Sequence, residues 1–271
     1  MSDAECVDFL QWALPRLRMR WAGFRKVRRQ VCRRIERRLR ELELAGVDGY
    51  RAYLESTPDE WQQLDALCHV TISRFYRDRA VFEFLERSVL PELATRAAES
   101  GGALDAWSVG CASGEEPYSL VLSWENAVRP LFPAVPLLVD ATDVDETMIR
   151  RAREASYERS SLRDLPESWR RRAFVHRGGR YYLRPHFRRP VTVEPHDVRD
   201  PSPRGPYDLV LCRNVVFTYF DLPIQREVAE RLACSIRPGG ALVIGSHETL
   251  PEAGHTLAPW CARLGVFRRP A

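Results

Sequence analysis

Two adjacent carboxylates, Glu115 and Glu116, follow a glycine-bounded turn in the stretch DAWSVGCASGEEPYSL, residues 105–120. The start of a helix presents free N–H groups and partial positive charge, and it ordinarily suits an anion. Acids at that place suit a ligand that brings its own cation, such as an amino group. Gly110 opens the turn, and a residue without Cβ lets a ligand come close to the backbone. The plainer reading is that the acids complement the helix dipole. A second acid, Asp143, ends the apolar run VPLLVDATDVD, residues 135–145. There it can accept hydrogen bonds from ribose hydroxyls, or it can cap a turn. EPHDV supplies His196 and Asp197 at a further strand end, where they could flank an adenine ring, and CRNV supplies Asn214 and Val215.

These residues need elements to hold them at one edge. ALDAWSVG reads as a strand running into the glycine turn, and EEPYSLVLSWENAV (115–128) as the helix after it. VPLLVDATDVD is the next strand, followed by the helix ETMIRRAREA (146–155). YDLVLCRNVV (207–216) is a strand, PIQREVAERLACSI (223–236) a helix, RPGG (237–240) a turn and ALVIGS (241–246) a strand. Apolar strands alternating with helices predict an α/β fold whose mostly parallel sheet is covered on both faces. Ligands then bind past the carboxyl ends of the strands, where the candidates fall. RYYLRPHFRRPVTVEP (180–195) alternates and follows an RGG turn, which predicts a hairpin beside the sheet.

Residues 1 to about 70 read as all-helical. Val27, Val31, Ile35 and Leu39 recur every fourth residue, with arginines on the other faces. AGVDGY (45–50) breaks that helix. STPDEWQQLDALC (56–68) starts another, with Ser or Thr at the cap and Pro58 in the first turn. The net charge of +4 conceals an asymmetry: residues 16–40 hold twelve basic residues and one acid, Glu36. That segment carries +11 and leaves −7 for the rest, so its expected partner is acidic: a nucleic acid, an anionic membrane or an acidic protein face. A solvated arginine face is the plainer alternative.

With 45% hydrophobic and 29% charged residues, the composition is that of an ordinary globular chain, and no apolar run approaches a membrane span. No basic segment leads into an apolar core at the N-terminus, so no secretory signal is expected. Seven cysteines (6, 32, 68, 111, 212, 234 and 261) are scattered without a CxxC pair. They read as reduced thiols of a cytoplasmic protein, and neither they nor the histidines have metal-ligand spacing, so no metal is expected.

Taken in chain order, the strand-end residues suit a nucleoside with an amino-acid tail, S-adenosylmethionine. Its ammonium would meet Glu115 or Glu116, its ribose Asp143 and its adenine edge Asp197. GxGxxG is missing, which weighs against a dinucleotide.

The motifs TISRFYRD (71–78), WSVGCASGEEPYSL (107–120), ATDVDETMIRRAREASY (141–157), YDLVLCRNVVFTYFD (207–221) and RPGGALVIGSHETL (237–250) resemble the CheR family, the chemotaxis-receptor protein-glutamate O-methyltransferases. The resemblance implies a Rossmann-like methyltransferase domain, with an inserted small β hairpin subdomain, behind a small all-α domain. The boundaries would be 1–70 and 71–271, with a linker at about 71–90 and the β insertion at about 174–195. It implies methyl transfer to glutamate carboxylates, giving a methyl ester and S-adenosylhomocysteine. Carried over by position, the cofactor contacts would be Thr71, Ser73, Arg77, Gly110, Glu115, Glu116, Asp143, Asp197, Val198, Asn214 and Val215. Arg77 would orient the substrate carboxylate, with Tyr219 as helper. The basic helix, through Arg25, Arg28, Arg29, Arg33 and Arg37, would face acidic receptor helices. A monomer is implied. RNVVFTYF is one residue longer than the family's usual segment, which places Thr218 in the register of the family's tyrosine and displaces Tyr219. Two other readings follow: a methyltransferase of this fold acting on RNA or a small molecule, and a non-catalytic S-adenosylmethionine-sensing docking module. The absence of an aromatic stacking motif weighs against RNA.

Overall fold

Strands that are apolar on both faces must lie inside a covered sheet, and here they do. The computed structural model describes residues 1–252 and 255–270. In chain order the strands are β1 (Leu104–Val109), β2 (Leu137–Asp143), β3 (Ser156–Tyr157), β4 (Phe174–Arg177), β5 (Arg180–Leu183), β6 (Val191–Pro195), β7 (Tyr207–Cys212), β8 (Ile236–Ile244), β9 (Ala258–Cys261) and β10 (Val266–Arg268). Seven form one sheet in the order β6-β2-β1-β7-β8-β10-β9. The first five of that order run parallel, whereas β10 is antiparallel to both β8 and β9. Helices Glu115–Ser123, Glu146–Glu154 and Leu222–Ser235 follow β1, β2 and β7. The order reverses between β1 and β7, and this reversal opens a crevice at their carboxyl ends. The fold is Rossmann-like.

Contacts divide the chain into two units. One comprises Met1–Thr71 together with Thr218–Ile224, and the other comprises Ile72–Phe217 and the chain from Gln225 onward. In the first, helices Asp3–Ala13, Arg28–Glu41, Val47–Ser56 and Glu60–Cys68 surround Phe9, Leu10, Val31, Ile35, Leu39, Tyr50, Leu54 and Leu64, all buried. Ser2 and Glu5 form a capping box on the first helix. Glu60, buried among these helices, is satisfied by Arg38 at 2.9 and 2.8 Å and by the Tyr50 hydroxyl at 2.8 Å. Arg38 therefore serves the fold and not the outer face.

The structure corrects four expectations. The alternation at 180–195 is not one hairpin: β4 and β5 form the hairpin, β3 adds a third strand, and β6 leaves to pair with β2. Pro185 starts a short helix, Pro185–Arg188, which ends the first strand, and Val193 is drawn into the core beside Ala141 and Ile149. RPGG is not a separate turn. It lies within β8, where the register against β7 shifts and Gly239 takes φ +75°. Near residue 45 the helix break falls before Val47, and Ser56 closes Val47–Ser56 instead of capping the next helix, which begins at Glu60. Finally, not all thiols are free: Cys6 and Cys32 form a disulfide joining helices Asp3–Ala13 and Arg28–Glu41. Residues 26 apart in sequence meet because the two helices pack, a proximity that linear spacing does not display.

Candidate active site

The turn after β1 is built from residues held in the left-handed region: Gly110 at φ +67°, Ala112 at +47° and Gly114 at +92°. A Cβ on Gly110 would come within 2.5 Å of Val215 Cγ2, so the glycine is required by the approach of the β7 turn as well as by φ. Asp143 holds the loop between these glycines. Its Oδ2 accepts from Ala112 N at 2.8 Å and its Oδ1 from Asp145 N at 2.9 Å. Asp145, two residues on, caps Glu146–Glu154 through Thr147 N and Met148 N.

Glu115 is 3% exposed. Ser113 Oγ lies 3.0 and 2.9 Å from its two oxygens, and Tyr157 OH donates to Ser113 O at 2.8 Å. Burial raises the Glu115 carboxyl above the usual range, partly offset by backbone and Ser113 hydrogen bonds, the charge of Arg151 and Ser73. Glu116 accepts from Ser108 Oγ at 2.8 Å and from Arg213 Nη1 at 3.2 Å. Burial raises its carboxyl too, against the opposing charges of Arg213 and Arg77.

Arg213, itself buried, is the hub between this turn and the 71–78 segment. Its Nη2 donates to Asp78 Oδ2 at 2.7 Å and to Arg77 O at 3.1 Å. Ser119 Oγ donates to Glu115 O at 2.6 Å and accepts from Tyr76 N at 2.8 Å, fixing Tyr76 at φ +56°. The Arg77 guanidinium donates to Ile72 O at 3.1 Å. After β7, Asn214 takes φ +58°, with its N–H on Glu248 Oε2 at 2.9 Å; the same oxygen accepts from Gly245 N at 2.6 Å.

Ser73, Arg77, Gly110, Glu115, Glu116, Asp143, Asn214 and Val215 therefore gather around the ends of β1, β2 and β7. His196 N donates to Asp143 O at 3.0 Å, which brings the next residues alongside. Both Asp197 oxygens are engaged by Arg199 at 2.6–3.0 Å, and Val198 is buried. Thr71 and Tyr219 fall in the other unit. Arg34 reaches Thr71 Oγ1 at 3.5 Å, and the Tyr219 ring lies against Phe24 with centroids 5.0 Å apart. Sequence reasoning passed over Arg213, Ser113, Ser119 and Glu248. Arg213 and Glu248 lie inside quoted motifs, but an arginine in so basic a chain and a glutamate after a strand gave no signal of their own.

The arrangement offers two carboxyls, Glu115 buried and Glu116 half-buried and paired with Arg213, beside a glycine turn that admits close approach, and an acid on the neighbouring strand. A cationic amino-acid tail on a nucleoside fits that donor set. Among the described residues no cluster of His, Cys, Asp and Glu could hold a metal ion, and no helix is long and apolar enough to cross a membrane.

Fold and site together define an S-adenosylmethionine-dependent methyltransferase. The family model for the CheR methyltransferase SAM-binding domain matches residues 71–261, and that for the CheR all-alpha domain matches residues 26–65. A chemotaxis protein methyltransferase of Listeria innocua is 34% identical over 194 residues, covering 71% of this chain and 71% of that protein. A probable chemotaxis protein methyltransferase of Rhizobium etli is 33% identical over 236 residues, covering 83% and 86%. A probable biofilm formation methyltransferase, WspC, of Pseudomonas aeruginosa is 35% identical over 243 residues, covering 88% of this chain and 56% of that protein. The chain belongs to the CheR methyltransferase family.

Proposed function

We propose that the protein is a cytoplasmic, monomeric protein-glutamate O-methyltransferase acting on a chemoreceptor or a receptor-like signalling protein, yielding a glutamate γ-methyl ester and S-adenosylhomocysteine. The observation that carries this reading is the carboxyl pair at the Gly110 turn, Glu115 buried and Glu116 half-buried, the second tied through Arg213 to the backbone of Arg77. Bound S-adenosylmethionine supplies an electrophilic methyl group on a sulfonium. Glutamate titrates near pH 4.3 when unperturbed, so the substrate carboxylate is already a nucleophile and no general base is required. What the chain must supply is alignment and exclusion of water. Glu115 and Glu116 hold the ammonium, with Thr71 and Ser73 from the linker. Asp143 takes the ribose, Gly110 and Val215 shape the cradle, and Asp197, Val198 and Asn214 border the nucleoside. Arg77 orients the incoming carboxylate, with Tyr219 as helper. The all-α domain ends at about residue 70 and the linker at about 90, and β3, β4 and β5 form the insertion.

For docking, Arg29, Arg33 and Arg37 are exposed at a four-residue spacing along one face of the helix Arg28–Glu41, and Arg25 is exposed in the turn just before it. Arg28 is set apart from them: it is half-buried and held by Asp3 in a two-point pair at 3.0 Å. The ridge suits an acidic helical receptor surface.

Calorimetry with S-adenosylhomocysteine is the first test, followed by transfer of labelled methyl groups to a receptor cytoplasmic domain. Binding that Glu116→Ala and Asp143→Ala abolish, together with label released by mild base, is the expected result. Label that resists base would show a substrate other than a carboxylate.

A further inference from the structure

Tyr219 does not stand on a free loop. Residues Thr218–Ile224 belong to the same unit as the N-terminal helices. Met19 and Phe220 form an antiparallel bridge, flanked by Arg20 N donating to Tyr219 O and Asp221 N donating to Arg18 O, both at 2.8 Å. Arg20 Nε donates to Thr218 O at 3.1 Å, and Arg18 Nε meets Asp221 Oδ2 at 2.6 Å. Arg18 takes φ +58° to make this turn. Gly23 closes the seat: a Cβ there would overlap the Thr218 carbonyl oxygen and lie 3.2 Å from Tyr219 Cδ1. Phe24, 1% exposed, carries the tyrosine ring. A few residues later the chain enters the basic helix Arg28–Glu41.

We propose that Arg18, Arg20, Gly23 and Phe24 are positioning residues that seat Tyr219 on the body carrying the substrate-docking helix, so that the orientation of the tyrosine follows docking. The proposal rests on the methyltransferase reading of Tyr219 given above. It also gives the longer RNVVFTYF segment a place: the added length is taken up against Gly23, where only a residue without a side chain fits.

In the full chain, Gly23→Ala is compared with Tyr219→Ala and with the double variant. The readouts are S-adenosylhomocysteine affinity and base-labile methyl transfer to a receptor domain. Expected is unchanged cofactor affinity with kcat lowered by up to about a hundredfold, since small misplacements of an aligning group cost that much. The defect should also vanish in the Tyr219→Ala background. A Gly23→Ala protein as active as wild type, or one whose loss persists in full without Tyr219, overturns the proposal. Should Gly23→Ala fail to fold, Arg18→Glu takes its place. Recovery of kcat on adding Asp221→Arg supports the seat, and a persistent loss overturns it. Failure of the underlying reading looks different: wild type transfers no methyl group, or Tyr219→Ala is fully active.

Discussion

Glu115 and Glu116 are the residues whose chemistry is most exposed to test. Burial raises both carboxyls, so each ionises at a higher pH than a free glutamate. Their contribution to stability is then complete below the usual glutamate pKa and is lost as pH rises through the raised values. A cationic ligand opposes that shift, because it needs both groups ionised. Affinity for S-adenosylhomocysteine should therefore tighten as pH rises through the interval above the usual carboxylate range, with protons released on binding. Calorimetry in buffers of different ionisation enthalpy would detect the release. Glu116→Gln should flatten that profile; an unchanged profile would mean that Glu116 does not meet the ammonium. These two residues, with Asp143, were legible in the sequence because acids at strand ends beside glycine are chemically odd. Arg213 was not, since its partners Glu116 and Asp78 are distant in sequence and only the fold brings them together, and neither was the closure of Asp197 onto Arg199, which depends on a local turn.

Two turns decide whether the strand ends keep their shape. Glu248 joins the β7 and β8 turns through one oxygen that accepts from both Asn214 and Gly245. Glu248→Ala leaves two N–H groups without an acceptor, each costing about 1–3 kcal/mol if it stays buried. Urea unfolding should show a loss of that order, whereas Glu248→Gln, which retains an accepting oxygen, should keep most of the stability. Gly110→Ala sets a Cβ against Val215 at a positive φ, and is expected to abolish cofactor binding while the sheet still forms. Circular dichroism beside calorimetry separates those two effects. At this scale the sequence was informative where periodicity was long. The parallel strands and their helices stand where the apolar pattern put them. It misled at 180–195, because alternation does not say which sheet a strand joins, and Pro185 and Pro190 cut the pattern in two. It also misled at RPGG, where a bulged strand and a turn share the same glycines.

The molecule as a whole is electrically divided, with +11 on residues 16–40 and −7 on the remainder. Reversing Arg29 and Arg33 to Glu should raise KM for an acidic receptor domain and weaken the salt dependence of methylation, leaving S-adenosylhomocysteine affinity alone. Equal salt dependence in wild type and variant would place docking elsewhere. The charge asymmetry could be read without a structure, because it is a property of composition. The Cys6–Cys32 disulfide could not, and neither could the membership of Thr218–Ile224 in the N-terminal unit.

That membership bears on how the protein is made. Domains generally fold as units as the chain leaves the ribosome, N-terminal part first. Here the helices emerge at the outset, yet the segment that bridges to Met19 is translated only after Ile72–Phe217. The first unit to appear is thus among the last to be completed, and it waits for its own closing segment until most of the sheet has been synthesised.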